Sequence, residues 1–223
     1  MLKPIIVAVD ETQLNSFKQI IDSLDNDLCM IKVGSVSFNA IGREAIEYVA
    51  AKGFKIFLDL KLHDIPNTVA HSILSFRDYP INLLTVHISG GMNMLIRVRE
   101  AAHAIKSKII GVSLLTSLDQ KDIKRVFFND TQKVADNLFD LAKEAKMDGI
   151  VCSAHELKYA MTNIPKLLKI VPGIRLSSNN DDQKRVMSPA EALDLGANHL
   201  VIGRPITESR HPNAELEKIL ETL

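Results

Sequence analysis

Net charge is the first thing this chain of 223 residues lacks: 27 Lys and Arg balance 27 Asp and Glu. With no field of one sign there is no global attraction for nucleic acid or a membrane surface, and an anionic ligand must be held by local cations. Cysteine is scarce too. The two present, Cys29 and Cys152, sit in apolar strand-like segments at a spacing that fits neither a zinc site nor a disulfide framework. That predicts buried, reduced thiols and a cytoplasmic protein. No apolar run reaches transmembrane length, and the one in "MLKPIIVAVD" is cut short by Asp10, too soon for a signal segment. Linkers, low-complexity tracts and shifts in composition are absent as well, so residues 1–223 are expected to form a single domain.

What is present, 46% hydrophobic and 24% charged residues, suits a globular chain with a substantial core. Eight short apolar runs recur along it, "IIVAV" from Ile5, "CMIKV" from Cys29, "FKIFLDL" from Phe54, "LLTVHI" from Leu83, "IIGVSLL" from Ile109, "GIVC" from Gly149, "LLKIV" from Leu167 and "HLVI" from His199. Between them lie stretches such as "FKQIIDSL" and "VADNLFDLAKEA", whose apolar residues fall at helical steps. Strands alternating with helices imply βαβ units with parallel pairing and right-handed crossovers. An open doubly wound sheet is the alternative, but it normally shows a glycine-rich turn after its first strand, and here that strand ends "VAVDET". The economical fold is a (β/α)8 TIM barrel.

In such a barrel the functional groups collect at the carboxyl-terminal ends of the strands. Those ends supply Asp10, Lys32, Asp59 and Lys61, with Asp64 just beyond. Residues two apart on a strand share a face. Asp59 and Lys61 are therefore expected to point into the barrel mouth, and Leu58, Leu60 and Leu62 toward the helices. Lys32, flanked by Ile31 and Val33, behaves likewise, and Pro66 is expected in the first turn of the next helix. A purely structural ion-pair plug would be costly to desolvate, and charge clusters in clefts usually mark chemistry. His63 and His87 read as structural.

The loops after the seventh and eighth strands carry "PGIR", ending at Arg175, and "GRP", with Gly203 and Arg204. Phosphate sites in barrels are commonly built at these loops, from backbone N–H groups and nearby cations. Glycine admits close approach and arginine offers a bidentate fork. The polar, aperiodic "LSSNNDDQKRV" from Leu176 reads as a lid, with Gln183 the side chain expected to reach a ligand.

These motifs together resemble one family. "DLKLHDIPNT", Asp59 to Thr68, is similar to the signature of orotidine 5′-phosphate decarboxylases, and "VAVD", "IKVG", "VHISGG", "LLTS", "PGIR", "DDQ" and "VIGRP" follow that family's order. The resemblance implies a homodimeric barrel that needs neither cofactor nor metal and converts orotidine 5′-monophosphate to UMP and CO2, the last step of de novo pyrimidine synthesis. It further implies that Lys32, Asp59, Lys61 and Asp64 form the charged catalytic network, with Lys61 the proton donor. Asp64, Ile65 and Thr68 would reach the neighbouring subunit's site. Asp10 and Lys32 would serve the ribose, and Thr116, beside Ser117, the pyrimidine. Arg175, Gly203 and Arg204 would hold the phosphate, and Gln183 would link it to the base. Magnesium-dependent keto-gulonate-phosphate decarboxylases and hexulose-phosphate synthases resemble the same D-x-K-x-x-D pattern. They are expected to hold the metal with a glutamate on the second strand, where this chain has Lys32. A nucleotide binder without turnover is the other alternative, and the complete charged set speaks against it.

Overall fold

The computed structural model describes residues 4–174 and 187–223. Eight parallel strands close in sequence order into a barrel: β1 Ile5–Val9, β2 Cys29–Gly34, β3 Ile56–Leu62, β4 Ile81–His87, β5 Lys108–Val112, β6 Gly149–Val151, β7 Leu168–Pro172 and β8 His199–Ile202. β8 pairs back onto β1 through Ile5↔Leu200 and Val7↔Ile202, which leaves no free edge.

Two apolar sets with period two build it. Ile6, Ala8, Met30, Phe57, Leu83, Ile110, Ile170 and Val201 point inward and fill the barrel. Their neighbours, among them Val7, Ile31, Val33, Leu58, Leu84, Val86 and Ile109, point outward into a layer shared with helices such as Leu14–Asp22 and Thr131–Glu144. Both faces being buried, the strands read as nearly continuous apolar runs. Cys29 and Cys152 are buried, as expected, and burial pushes the Cys152 thiol well above its ordinary range.

Strand limits shift slightly from the sequence reading. β3 starts at Ile56 rather than Phe54, because the Asn82 side chain takes the Ile56 N–H at 2.8 Å and opens the ladder there. β5 stops at Val112, and Leu114 and Leu115 belong to the following loop. Pro66 begins the helix Pro66–Leu74, where its missing N–H costs nothing.

Candidate active site

At the carboxyl-terminal mouth of the barrel the inward face changes character. Two residues beyond inward-facing Ala8, Met30, Phe57 and Leu83 stand Asp10, Lys32, Asp59 and Thr85. Lys32 and Asp59 are only 9% and 7% exposed. Lys32 Nζ lies 3.3 Å from Asp10 Oδ1 and 3.6 Å from Asp59 Oδ2, and Lys61 Nζ lies 2.8 Å from that same Asp59 oxygen. Within the protomer the alternating chain is therefore Asp10–Lys32–Asp59–Lys61. Each contact has a gross attraction of about 5 kcal/mol at an effective dielectric near 20, which offsets desolvation of the buried members.

The fourth member of the expected set stands apart within the protomer. Asp64 is exposed, and its Oδ1 accepts the Ile65 N–H at 2.6 Å; among the described residues it forms no ion pair with Lys61. The cause is chain direction: β3 ends at Leu62, and Asp64 lies in the turn that leads out to Pro66. Ile65 is 67% exposed beside it, and Thr68 is exposed on the same first helical turn.

Lys61 itself departs from the regular alternation used to place it. Its φ is +48°, a left-handed conformation that side chains other than glycine and asparagine seldom adopt. Between the pairs Leu58↔Leu84 and Leu62↔Val86, β3 advances from residue 58 to 62 while β4 advances only from 84 to 86. The surplus chain of β3 bulges there, a device that re-aims side chains near active sites. The Lys61 N–H donates to Thr85 Oγ1 at 2.9 Å.

Thr116 and Ser117 are exposed on the loop after β5, at this same end of the barrel. Gly203 is half-buried, and Arg204 is exposed at the start of the helix Arg204–Thr207. A Cβ at Gly203 would meet Ala8 O at 3.5 Å, ordinary contact, so packing within the chain does not itself demand glycine there. Arg175 and Gln183 lie outside the described residues.

Three supporting residues escaped the sequence reading. Gly34 is one: a Cβ there would come within 2.7 Å of Lys32 Nζ and 2.9 Å of Asp10 Oδ1, so the ion pair occupies the space of a side chain. Ser37, fully buried, donates to Val9 O and accepts from the Glu11 N–H, both at 2.8 Å, and so brackets Asp10 on either side. Thr85, also fully buried, donates to Asp59 Oδ1 at 2.9 Å. Applying the inward-face rule to "LLTVHI" would have found Thr85; Ser37 leaves no such trace, because its partners come from a different strand end.

His63 and His87, read as structural, border the mouth, with ring centroids 5.3 Å apart. Burial first, then the neighbouring His63 and the Lys61 cation, hold the His87 imidazole below its ordinary pKa, against a smaller opposing pull from Asp59. Among the described residues no cluster of three or more His, Cys, Asp or Glu side chains could hold a metal ion.

Similarity to known proteins agrees with this geometry. The family model for the orotidine 5′-phosphate decarboxylase / HUMPS family matches residues 3–219. A protein named orotidine 5′-phosphate decarboxylase from Ehrlichia chaffeensis is 43% identical over 97% of this chain and 95% of its own. One of the same name from Saccharophagus degradans is 39% identical over 96% and 92% respectively. The crystal structure of orotidine 5′-phosphate decarboxylase from Lactobacillus acidophilus superposes with a TM-score of 0.86 at 32% identity, covering 98% of both chains. A closed barrel with a Lys–Asp–Lys chain at its mouth, matched end to end in sequence and in shape, places this chain in the orotidine 5′-phosphate decarboxylase / HUMPS family.

Proposed function

We infer that this protein is a carboxy-lyase that decarboxylates orotidine 5′-monophosphate to UMP and CO2 in pyrimidine synthesis. The observation that carries the reading is the Lys61 ammonium held 2.8 Å from a nearly buried carboxylate at the barrel mouth. Loss of CO2 breaks a carbon–carbon bond and leaves its electron pair on a ring carbon that resonance delocalises poorly. A fixed cation beside that carbon stabilises the pair as it develops and then delivers a proton to it. Lys61 supplies both functions. Asp59 aims it, and its charge beside the substrate carboxylate disfavours the ground state.

Asp10 and Lys32 suit the ribose hydroxyls, since one accepts and the other donates from the two sides of a 3.3 Å contact. Gly203 and Arg204, with Arg175, suit the phosphate. Thr116 suits the pyrimidine, and Gln183 a link from phosphate to base. Remote binding energy of this kind can serve the reacting centre.

The second carboxylate for Lys61 comes, on this reading, from a homodimer partner. Asp64 and Ile65 project from the rim unpaired with any described side chain, and Thr68 is exposed next to them. In a two-fold dimer each would reach across and complete the other site. Two buried cysteines that form no disulfide suit a reducing compartment and support a cytoplasmic location.

The rival within the family, a magnesium-dependent enzyme acting on a sugar phosphate, is disfavoured by Lys32. Its Nζ stands 3.6 Å from Asp59 Oδ2 and would repel a divalent cation beside that oxygen. The deciding experiment follows loss of orotidylate absorbance with and without a chelator. Metal-independent turnover that disappears in Lys61→Ala, with UMP affinity retained within about tenfold, is the expected result. Near-normal turnover in Lys61→Ala, or a strict need for divalent metal, would overturn the reading.

A further inference from the structure

We propose that Thr85 is a positioning residue for decarboxylation, which sets the Lys61 ammonium by holding both its backbone and its counter-ion. The inference rests on the role just given to Lys61 and extends it to a residue that touches no reacting atom.

Thr85 stands in the middle of the β3–β4 irregularity, where the ladder between the strands skips. The Lys61 N–H has lost its regular carbonyl partner there, and the Thr85 hydroxyl oxygen takes it at 2.9 Å. That leaves the hydroxyl proton free to point elsewhere, and it goes to Asp59 Oδ1, again at 2.9 Å. One hydroxyl thus accepts from the lysine's main chain and donates to the carboxylate whose other oxygen grips the lysine's Nζ at 2.8 Å. The result is a closed loop: the Lys61 N–H donates to Thr85, Thr85 donates to Asp59, and the Lys61 ammonium donates to Asp59 as well.

Such chains polarise one another, and in a buried place each bond is stronger than in water. Thr85 is fully buried, so no water competes for either bond. Lys61, moreover, sits in a backbone conformation that needs outside support to persist. The loop supplies that support. Without the hydroxyl, the bulge can relax toward regular strand, and the Asp59 carboxylate can rotate about its terminal torsion. Each motion carries Nζ off the line along which it meets the reacting carbon, and small misplacements of a catalytic group cost rate steeply. Ground-state binding rests mainly on the ribose and phosphate groups elsewhere in the mouth, and so changes little even as Asp59 shifts.

Thr85→Val and Thr85→Ser, with Lys61→Ala beside them, test this through kcat, KM, UMP affinity and thermal unfolding. Valine keeps the branched shape and removes both bonds, while serine keeps the hydroxyl and removes a methyl. The expected result is a fall in kcat of about 10- to 100-fold for Thr85→Val with KM within about threefold of the parent, and recovery to within about threefold in Thr85→Ser. A purely structural residue would instead lower the melting temperature of both variants and leave kcat per folded molecule unchanged. If Thr85→Val does not fold, Thr85→Cys, similar in size with a weak donor, must show the same loss in kcat. A folded Val or Cys variant turning over at the parent's rate, or serine and valine losing equally, would overturn the proposal. Activity in Lys61→Ala would mark failure of the underlying reading of Lys61, whereas an inactive Lys61→Ala beside a fully active Thr85→Val would sink the positioning role alone.

Discussion

Replacing Gly34 by alanine is the smallest change that should disturb the charged chain without touching a member of it. The added Cβ would stand 2.7 Å from Lys32 Nζ and 2.9 Å from Asp10 Oδ1, against an ordinary separation of about 3.5 Å or more. Both atoms end flexible side chains, so the backbone can stay in place. What yields is the ion pair. Retreat of Nζ by about 1 Å stretches its 3.6 Å contact with Asp59 and removes about 1 kcal/mol of attraction at an effective dielectric near 20. The 3.3 Å contact with Asp10 loses about as much before screening. Asp10 is half exposed, however, so solvent cancels part of that share. The combined loss lies between about 1 and 2 kcal/mol, or about 5- to 30-fold in kcat/KM. Thermal unfolding and the orotidylate absorbance assay measure the two sides separately. A Gly34→Ala protein with kcat/KM within about twofold of the parent would refute the idea that this ion pair is held in a productive position by the space beneath it.

Three further outcomes follow from other parts of the structure. Ser37→Ala should strand the Glu11 N–H and the Val9 carbonyl, cost about 1–3 kcal/mol in chemical denaturation, and raise KM more than it lowers kcat, because the turn carrying Asp10 loosens. Mixing Lys61→Ala with Asp64→Asn, each inactive alone, should restore about a quarter of the parent activity, since half the dimers would be mixed and each would carry one intact site; no recovery after subunit exchange would show that Asp64 serves its own protomer or none. Lys169→Met should raise the unfolding midpoint near neutral pH. Lys169 is 1% exposed with its Nζ on the Pro165 carbonyl at 2.8 Å, and burial holds its pKa below the ordinary lysine range. The unfolded chain then binds more protons between that lowered value and the ordinary one, so the parent gains stability as pH rises through this window. The advantage of the methionine variant should shrink over the same window in melting curves taken against pH.

Much of the site could be read without coordinates because barrel geometry converts position along a strand into position in space. An inward residue two steps past an apolar one, near a carboxyl-terminal end, has nowhere to go but the mouth, and that rule alone brings Asp10, Lys32 and Asp59 together. At Lys61 it gives the right neighbour, Asp59, although a bulge breaks the alternation it assumes; Asp64, past the strand's end, answers to the turn instead. The supporting residues needed more. Gly34 crowds Lys32 on its own strand together with Asp10 beyond β1, Ser37 holds the chain on both sides of Asp10, and the meeting of β1 with the end of β2 is set by register, which periodicity does not encode.

The order of apolar runs and the chemistry waiting at their ends were therefore written in the sequence itself, since burial of both strand faces and the absence of a glycine-rich first turn leave few other ways to cover so much apolar surface. Tertiary structure decided which carboxylate stands on the far side of Lys32, that Asp64 turns away from its own protomer's lysine, and that a buried threonine closes the loop around Lys61. Those outcomes depend on differences of an ångström or two between strands that are distant in sequence, and only the closed barrel fixes them.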